Sequence, residues 1–269
     1  MVLLESPLAL AAVTFAAAFI AGVVPLWRKV ADQQNLLTWL TGLAAGVLLA
    51  SALLVAIPEG FDIAKEGDFE PLLIGGAVLA GFLAMLLLEA LGFGHDIHEE
   101  HHDHEHEHGH DHVHHPTNAD SVVIGLSAHA LTDGLAIGAA ISTGSLVLTL
   151  SVFIAVLAHK VPAAFSVGVF SMHERRDRNR AVRDVFLFSL ATPITIILTA
   201  YLLGDVDAHL LGLAILFAGG TFLYVATVDV LPDVHNPETG KQALIQVLIG
   251  AAMMALLIWG MDTTGLVAH

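Results

Sequence analysis

The sequence predicts an all-α integral membrane protein with eight membrane-spanning helices, and three observations carry that prediction. The 269-residue chain is 56% hydrophobic and 13% charged, whereas a soluble domain carries about 25% charged residues. Its apolar residues gather into runs of about 20, the length that crosses a hydrocarbon core of about 30 Å. The residue-by-residue alternation of a membrane β-barrel is absent, so the backbone must satisfy its hydrogen bonds within helices. There are no cysteines, which excludes disulfides, iron–sulfur clusters and thiolate zinc sites. A formal net charge of −16 argues against nucleic acid as a partner.

The spans follow in order. Span 1 covers 8–27. The preceding Met1–Pro7 segment contains Glu5 and lacks the basic region and cleavage site of a secretory signal, so this helix is expected to be retained. Span 2 (36–58) carries Gly42 and Gly46, and span 3 (71–92) carries Gly75 and Gly76, small residues of the kind that let membrane helices pack closely. Spans 4 (119–142) and 5 (146–171) are joined by Thr143–Ser145 alone and must run antiparallel. Span 6 (184–203) contains Pro193, span 7 (208–232) contains Gly219 and Gly220, and span 8 covers 241–261. The chain divides into spans 1–3 (1–92), a histidine-rich loop (93–118), spans 4–5 (119–172) and spans 6–8 (173–269).

Basic residues set the orientation. Arg28, Lys29, Arg175, Arg176, Arg178, Arg180, Arg183 and Lys241 all fall on one side of this arrangement, against Lys65 on the other. The positive-inside rule places the first group in the cytoplasm, together with the 93–118 loop, and both termini outside. The lack of a cleavable signal fits a prokaryotic inner membrane. An internal echo also appears: span 2 ends in Ala56-Ile57-Pro58-Glu59-Gly60 and span 7 in Val230-Leu231-Pro232-Asp233-Val234. Each is the second of three helices, and the two groups start on opposite sides, the pattern of an inverted repeat.

The residues that carry chemistry lie in spans 4 and 5. His129 and Asp133 are four apart and share one helix face. His159 lies about halfway along span 5, as His129 does along span 4, so the antiparallel pair brings both to similar depth. One intramembrane histidine could simply hydrogen-bond a neighbouring helix. A carboxylate at mid-bilayer, however, costs at least about 2.5–3.5 kcal/mol on insertion scales. Two histidines, an aspartate and Lys160 at one depth therefore point to metal. Imidazole and carboxylate suit Zn²⁺, and also Mn²⁺, Fe²⁺ or Co²⁺; three protein ligands leave a fourth zinc position for water. Pro162, three residues beyond His159, frees backbone carbonyls and permits a kink.

The loop supplies eleven more histidines, His95, His98, His101, His102, His104, His106, His108, His110, His112, His114 and His115, interleaved with seven carboxylates. It has too few apolar residues for a core, and its expected role is low-affinity metal collection.

Three motifs together resemble the ZIP (ZRT/IRT-like) family of divalent-metal transporters: His129-Ala-Leu-Thr-Asp133-Gly134, His159-Lys-Val-Pro162 and the histidine-rich loop between spans 3 and 4. The stretches His159–Phe165 and Ala218–Asp233 are most similar to the branch containing the Golgi-type ninth vertebrate member. The resemblance implies a 3+2+3 arrangement of the eight helices, external termini, a homodimer in the lipid bilayer and metal flux toward the cytosol. Many members carry Asn-x-Pro-Glu-Gly after the span-4 histidine, where this chain has Ala130, Thr132 and Asp133. Members with a binuclear centre carry acidic residues at the places of Lys160 and Ala163, so this chain should hold one metal, with the Lys160 ammonium replacing the second cation.

The expected function is transport of a divalent metal, with zinc first and Mn²⁺, Fe²⁺, Cd²⁺ or Co²⁺ as alternatives, without an organic cofactor and without catalysis. The ion would approach past Glu59 and Asp62, bind His129, Asp133 and His159, and leave past Asp229, Asp233 and His235 toward the loop. No ATP-binding GxxxxGK[ST] motif is present. Two other readings remain at this point: a cation-diffusion-type exporter, which would have six spans and a soluble C-terminal domain, and a membrane-embedded zinc hydrolase, which would need a general base besides Asp133.

Overall fold

The computed structural model describes residues 6–27, 34–93, 119–235 and 239–263, without the side chains of 34–38, 119, 229–235 and 262. All regular structure among these residues is helical: α1 (Pro7–Trp27), α2 (Gln34–Ser51), a π-helical turn (Ala52–Ala56), α3 (Ile57–Glu66), α4 (Pro71–Ala90), α5 (Ala119–Ser142), α6 (Leu146–Arg175), α7 (Arg178–Leu202), α8 (Ala208–His235) and α9 (Gly240–Thr263). Eight helical stretches among them are long and apolar enough to cross a membrane. The outward leucines of α4 (Leu72, Leu79, Leu83, Leu86, Leu87) are exposed, as a face covered by lipid tails would be.

Helix ends show where the expected boundaries were short. The second span was expected to stop at residue 58, but it continues without a break to Glu66. The turn before Pro58 takes the wider π register, with the Ile57 amide donating to the Ala52 carbonyl. That register absorbs a proline, which would otherwise lose a bond and clash with the preceding turn. Glu59 and Asp62 consequently sit on helix α3 rather than after a helix end. The fifth and sixth spans run to Arg175 and from Arg178, further than their apolar cores require, because arginine stems lie along the helix while their heads reach water.

The two tight turns have local causes. Between α5 and α6, Gly144 takes a positive φ of 74°, which glycine adopts without steric penalty, and Ser145 caps α6 by accepting from the Leu148 amide at 3.2 Å. Between α6 and α7, Arg176 closes the helix in the left-handed conformation. Asp177 then caps α7, accepting from the amides of Asn179 and Arg180.

Packing is dictated largely by glycine. A Cβ on Gly46 of α2 would lie 2.2 Å from the Val247 carbonyl oxygen of α9, and one on Gly250 of α9 would lie 2.2 Å from that of Leu43 on α2. The crossing of α4 and α8 repeats this reciprocal arrangement: Gly81 faces the Phe217 oxygen at 1.9 Å and Gly220 the Val78 oxygen at 2.0 Å. Other neighbours pair the same way. Helix α1 packs on α6 as α7 packs on α5, and α2 packs on α6 as α8 packs on α5. Exchanging the first three spans with the last three, and α5 with α6, maps these contacts onto one another. Gly81→Val would push α4 and α8 apart; overpacking of this kind costs about 1–3 kcal/mol. Its melting temperature in detergent is expected to fall by about 3–10 °C, whereas Gly75→Val, at a position open to lipid, should leave it unchanged.

At the basic end of the bundle a charged cluster ties three helices. Buried Asp184 of α7 accepts from Arg175 Nε at 2.8 Å and from Arg183 Nη2 at 3.1 Å. Arg175, at the end of α6, also donates to Asp120 at the start of α5. The guanidinium of Arg178 lies over the exposed Trp27 ring at the end of α1, 5.5 Å from its centroid.

Candidate metal centre

Helices α5 and α6 present their polar residues to a common point inside the bundle. Helix α5 is seated on α7 by Gly134 and Gly138, whose Cβ positions would meet the Thr192 oxygen at 2.5 Å and the Thr199 side chain at 2.5 Å. Thr192 Oγ1 also donates to the Ala130 carbonyl at 2.8 Å. This close seating turns His129 and Asp133 away from α7 and toward α6.

There, Asp133 Oδ1 lies 3.5 Å from His129 Nε2 and 3.3 Å from His159 Nε2. Asp133 Oδ2 accepts instead from Lys160 Nζ at 3.1 Å. The ammonium also lies 4.2 Å from the centroid of Phe188 on α7. Exposure is 5% for His129, 0% for Asp133, 3% for His159 and 1% for Lys160, so the site is closed to bulk water. Among the described residues, these two histidines and the aspartate are the one group whose ligand atoms all lie within 4.8 Å of one another.

One further bond defines the chemistry. His159 Nδ1 is 2.9 Å from the carbonyl oxygen of Ala155, an acceptor, so the nitrogen there carries the proton. With Nδ1 protonated, a neutral ring turns its Nε2 lone pair toward a carboxylate oxygen. Two lone pairs facing each other at 3.3 Å need a cation or a proton between them. A tetrahedral zinc with ligands at about 2.0–2.1 Å separates them by about 3.3 Å, close to the two distances observed.

The structure brings together His129, Asp133, His159 and Lys160 of spans 4 and 5. Glu59 is half-buried and Asp62 exposed on α3, and neither belongs to the group of converging ligand atoms. Asp229, Asp233 and His235 fall on the last turns of α8, with side chains outside the described residues, and the run from His95 to His115 lies outside them altogether. Pro162 is accommodated within an unbroken α6. Sequence reasoning missed Phe222 of α8, whose ring lies against both imidazoles, and Thr221 beside it, which meets Thr132 of α5. An apolar residue in an apolar helix carries no signal that would single it out.

The family profile described as ZIP Zinc transporter matches residues 4–119 and 93–258. The chain belongs to the ZIP zinc transporter family. Zinc transporter ZIP9 of Xenopus tropicalis is 33% identical over 288 residues, covering 89% of this chain and 91% of that protein. Zinc transporter ZIP9-A of Xenopus laevis is 32% identical, and Zinc transporter ZIP9 of Micropogonias undulatus 33% identical, each over the same shares. These matches bear out the branch indicated by the His159–Phe165 and Ala218–Asp233 stretches. Family membership sets aside the cation-diffusion-type exporter. The relatives are eukaryotic and do not favour the prokaryotic inner membrane expected from the missing signal.

Proposed function

We propose that this chain carries Zn²⁺ across the membrane through a single site formed by His129, Asp133 and His159. The observation that supports this most is the convergence of the two imidazole Nε2 atoms on Asp133 Oδ1 inside a closed bundle. Two imidazoles and one carboxylate oxygen leave one zinc position for water, which keeps the ion exchangeable. Mn²⁺, Fe²⁺, Co²⁺ and Cd²⁺ are candidate competitors, since the same donors accept them.

Lys160 takes the part of a second cation. Its ammonium compensates Asp133 when zinc is absent, so the empty site holds a neutral Asp⁻–Lys⁺ pair rather than a bare buried charge. When zinc is bound the same ammonium repels it, which favours release. One metal per chain follows.

The exchange relation among the helix contacts supports a 3+2+3 arrangement with inverted repeats around α5 and α6, a design that places substrate at the repeat interface. By the positive-inside rule the Arg175–Arg183 end faces the cytoplasm and the termini lie outside. Zinc then approaches from the α3 side, past Glu59 and Asp62, and leaves past Asp229, Asp233 and His235 toward the loop histidines. A homodimer is the expected assembly.

Zinc uptake into sealed proteoliposomes tests the reading. His129→Ala is expected to abolish uptake while keeping the wild-type elution profile on gel filtration. Wild-type-like uptake by His129→Ala would overturn the site, and zinc-dependent hydrolysis of a lipid or peptide without any uptake would favour the hydrolase.

A further inference from the structure

We propose that Thr221 and Phe222 of α8 form a releasable latch that holds the metal site shut, and that opening the site requires these contacts to part. This rests on the reading that His129, Asp133 and His159 carry the metal, and adds the residues that gate them. Phe222 is 1% exposed. Its ring centroid lies 5.8 Å from that of His129 and 5.5 Å from that of His159, edge-on to both. It therefore steadies two rings carried by two other helices, a favourable aromatic arrangement, and seals them from water. Both imidazoles are buried, and parting them from α8 would open a path to them for a hydrated ion.

Thr221 supplies the releasable part. Thr132 Oγ1 of α5 and Thr221 Oγ1 are 2.9 Å apart. Each hydroxyl also reaches a carbonyl of its own helix, Thr132 that of His129 at 2.7 Å and Thr221 that of Ala218 at 2.8 Å. A hydroxyl has one proton. While the helices touch, one threonine donates across the interface and gives up its own carbonyl; when they part, both protons return to their own helices. Opening thus leaves neither hydroxyl donor unpaired, and avoids the penalty that an orphaned polar group would add. Thr132 directly precedes Asp133, so the latch acts on the ligand helix at the level of the site.

The chain has no cysteine, so a single reporter thiol can be placed at Ala136, one turn from Asp133 and fully buried. The measurement is the labelling rate of Ala136→Cys by a small charged thiosulfonate in proteoliposomes, in the full-length chain. Thr221→Val is expected to raise the rate about 2- to 5-fold, less than the loss of one whole hydrogen bond would give, because parting exchanges the bond across the interface for one to a carbonyl that already accepts from its own helix. Thr132→Val should do the same, and the double variant should go no further. Thr221→Ser, which restores the hydroxyl, should return the wild-type rate, and Phe222→Ala should exceed Thr221→Val. A purely structural role would reduce the yield of folded protein without changing labelling of the folded fraction. Unchanged labelling in Thr221→Val, or Ser behaving as Val does, overturns the latch; should Phe222→Ala fail to fold, the threonine pair decides alone. Failure of the metal-site reading is separate and shows as zinc uptake surviving His129→Ala.

Discussion

Asp133→Asn is expected to reduce zinc uptake on the order of 100-fold or more and to destabilise the protein even without metal. The first effect follows from the loss of the anionic oxygen on which both imidazoles converge; disturbing even the groups that support a metal ligand lowers affinity about 10–100-fold. The second follows from Lys160, whose Nζ is held by Asp133 Oδ2 at 3.1 Å and is 1% exposed. Removing one partner of a buried ion pair costs about 3–5 kcal/mol, whereas replacing both with apolar groups is often neutral. The double variant Asp133→Asn with Lys160→Met is therefore expected to regain melting temperature but not uptake. Recovery of both would mean that Asp133 serves only to neutralise the lysine.

Lys160→Met alone should behave differently. With the ammonium gone, the Asp133 carboxylate keeps only the two imidazoles beside it in the empty site, and bound zinc supplies more of its countercharge. The melting temperature without metal is expected to fall, and added zinc should restore it, with a larger zinc-induced shift than in the wild type because binding to the native state stabilises it by mass action. Zinc should bind more tightly and leave more slowly, so the KM and the maximal rate of uptake should both fall, by roughly ten-fold. Equal zinc-induced shifts in the two proteins would contradict the role assigned to Lys160.

How much of this was legible in the sequence depends on what each residue would cost elsewhere. Asp133 and Lys160 are expensive in a bilayer, so their presence within apolar spans marked the site, and the spacing of His129 and Asp133 placed both on one helix face. The eight spans were legible because apolar runs of membrane length have few alternatives. The π-helical turn before Pro58 was not: the span was expected to stop at residue 58, and the local register shift that let the helix continue to Glu66 leaves no compositional trace. Thr132 and Thr221 are 89 positions apart, and nothing in either neighbourhood announces the other. The tie from Arg175 to Asp120 and Asp184 was likewise hidden within a basic stretch that served to set orientation.

The central claim, one zinc per chain held by His129, Asp133 and His159, is tested most directly by counting metal. The eleven loop histidines would be replaced by glutamine to remove competing sites, and zinc measured by elemental analysis after gel filtration, with X-ray absorption reporting the ligands. The account predicts one zinc per chain, two imidazoles among nitrogen and oxygen ligands at about 2.0–2.1 Å, and no bound zinc in the His159→Ala variant. Two zinc ions per chain, or one that survives His159→Ala with an unchanged absorption spectrum, would contradict it.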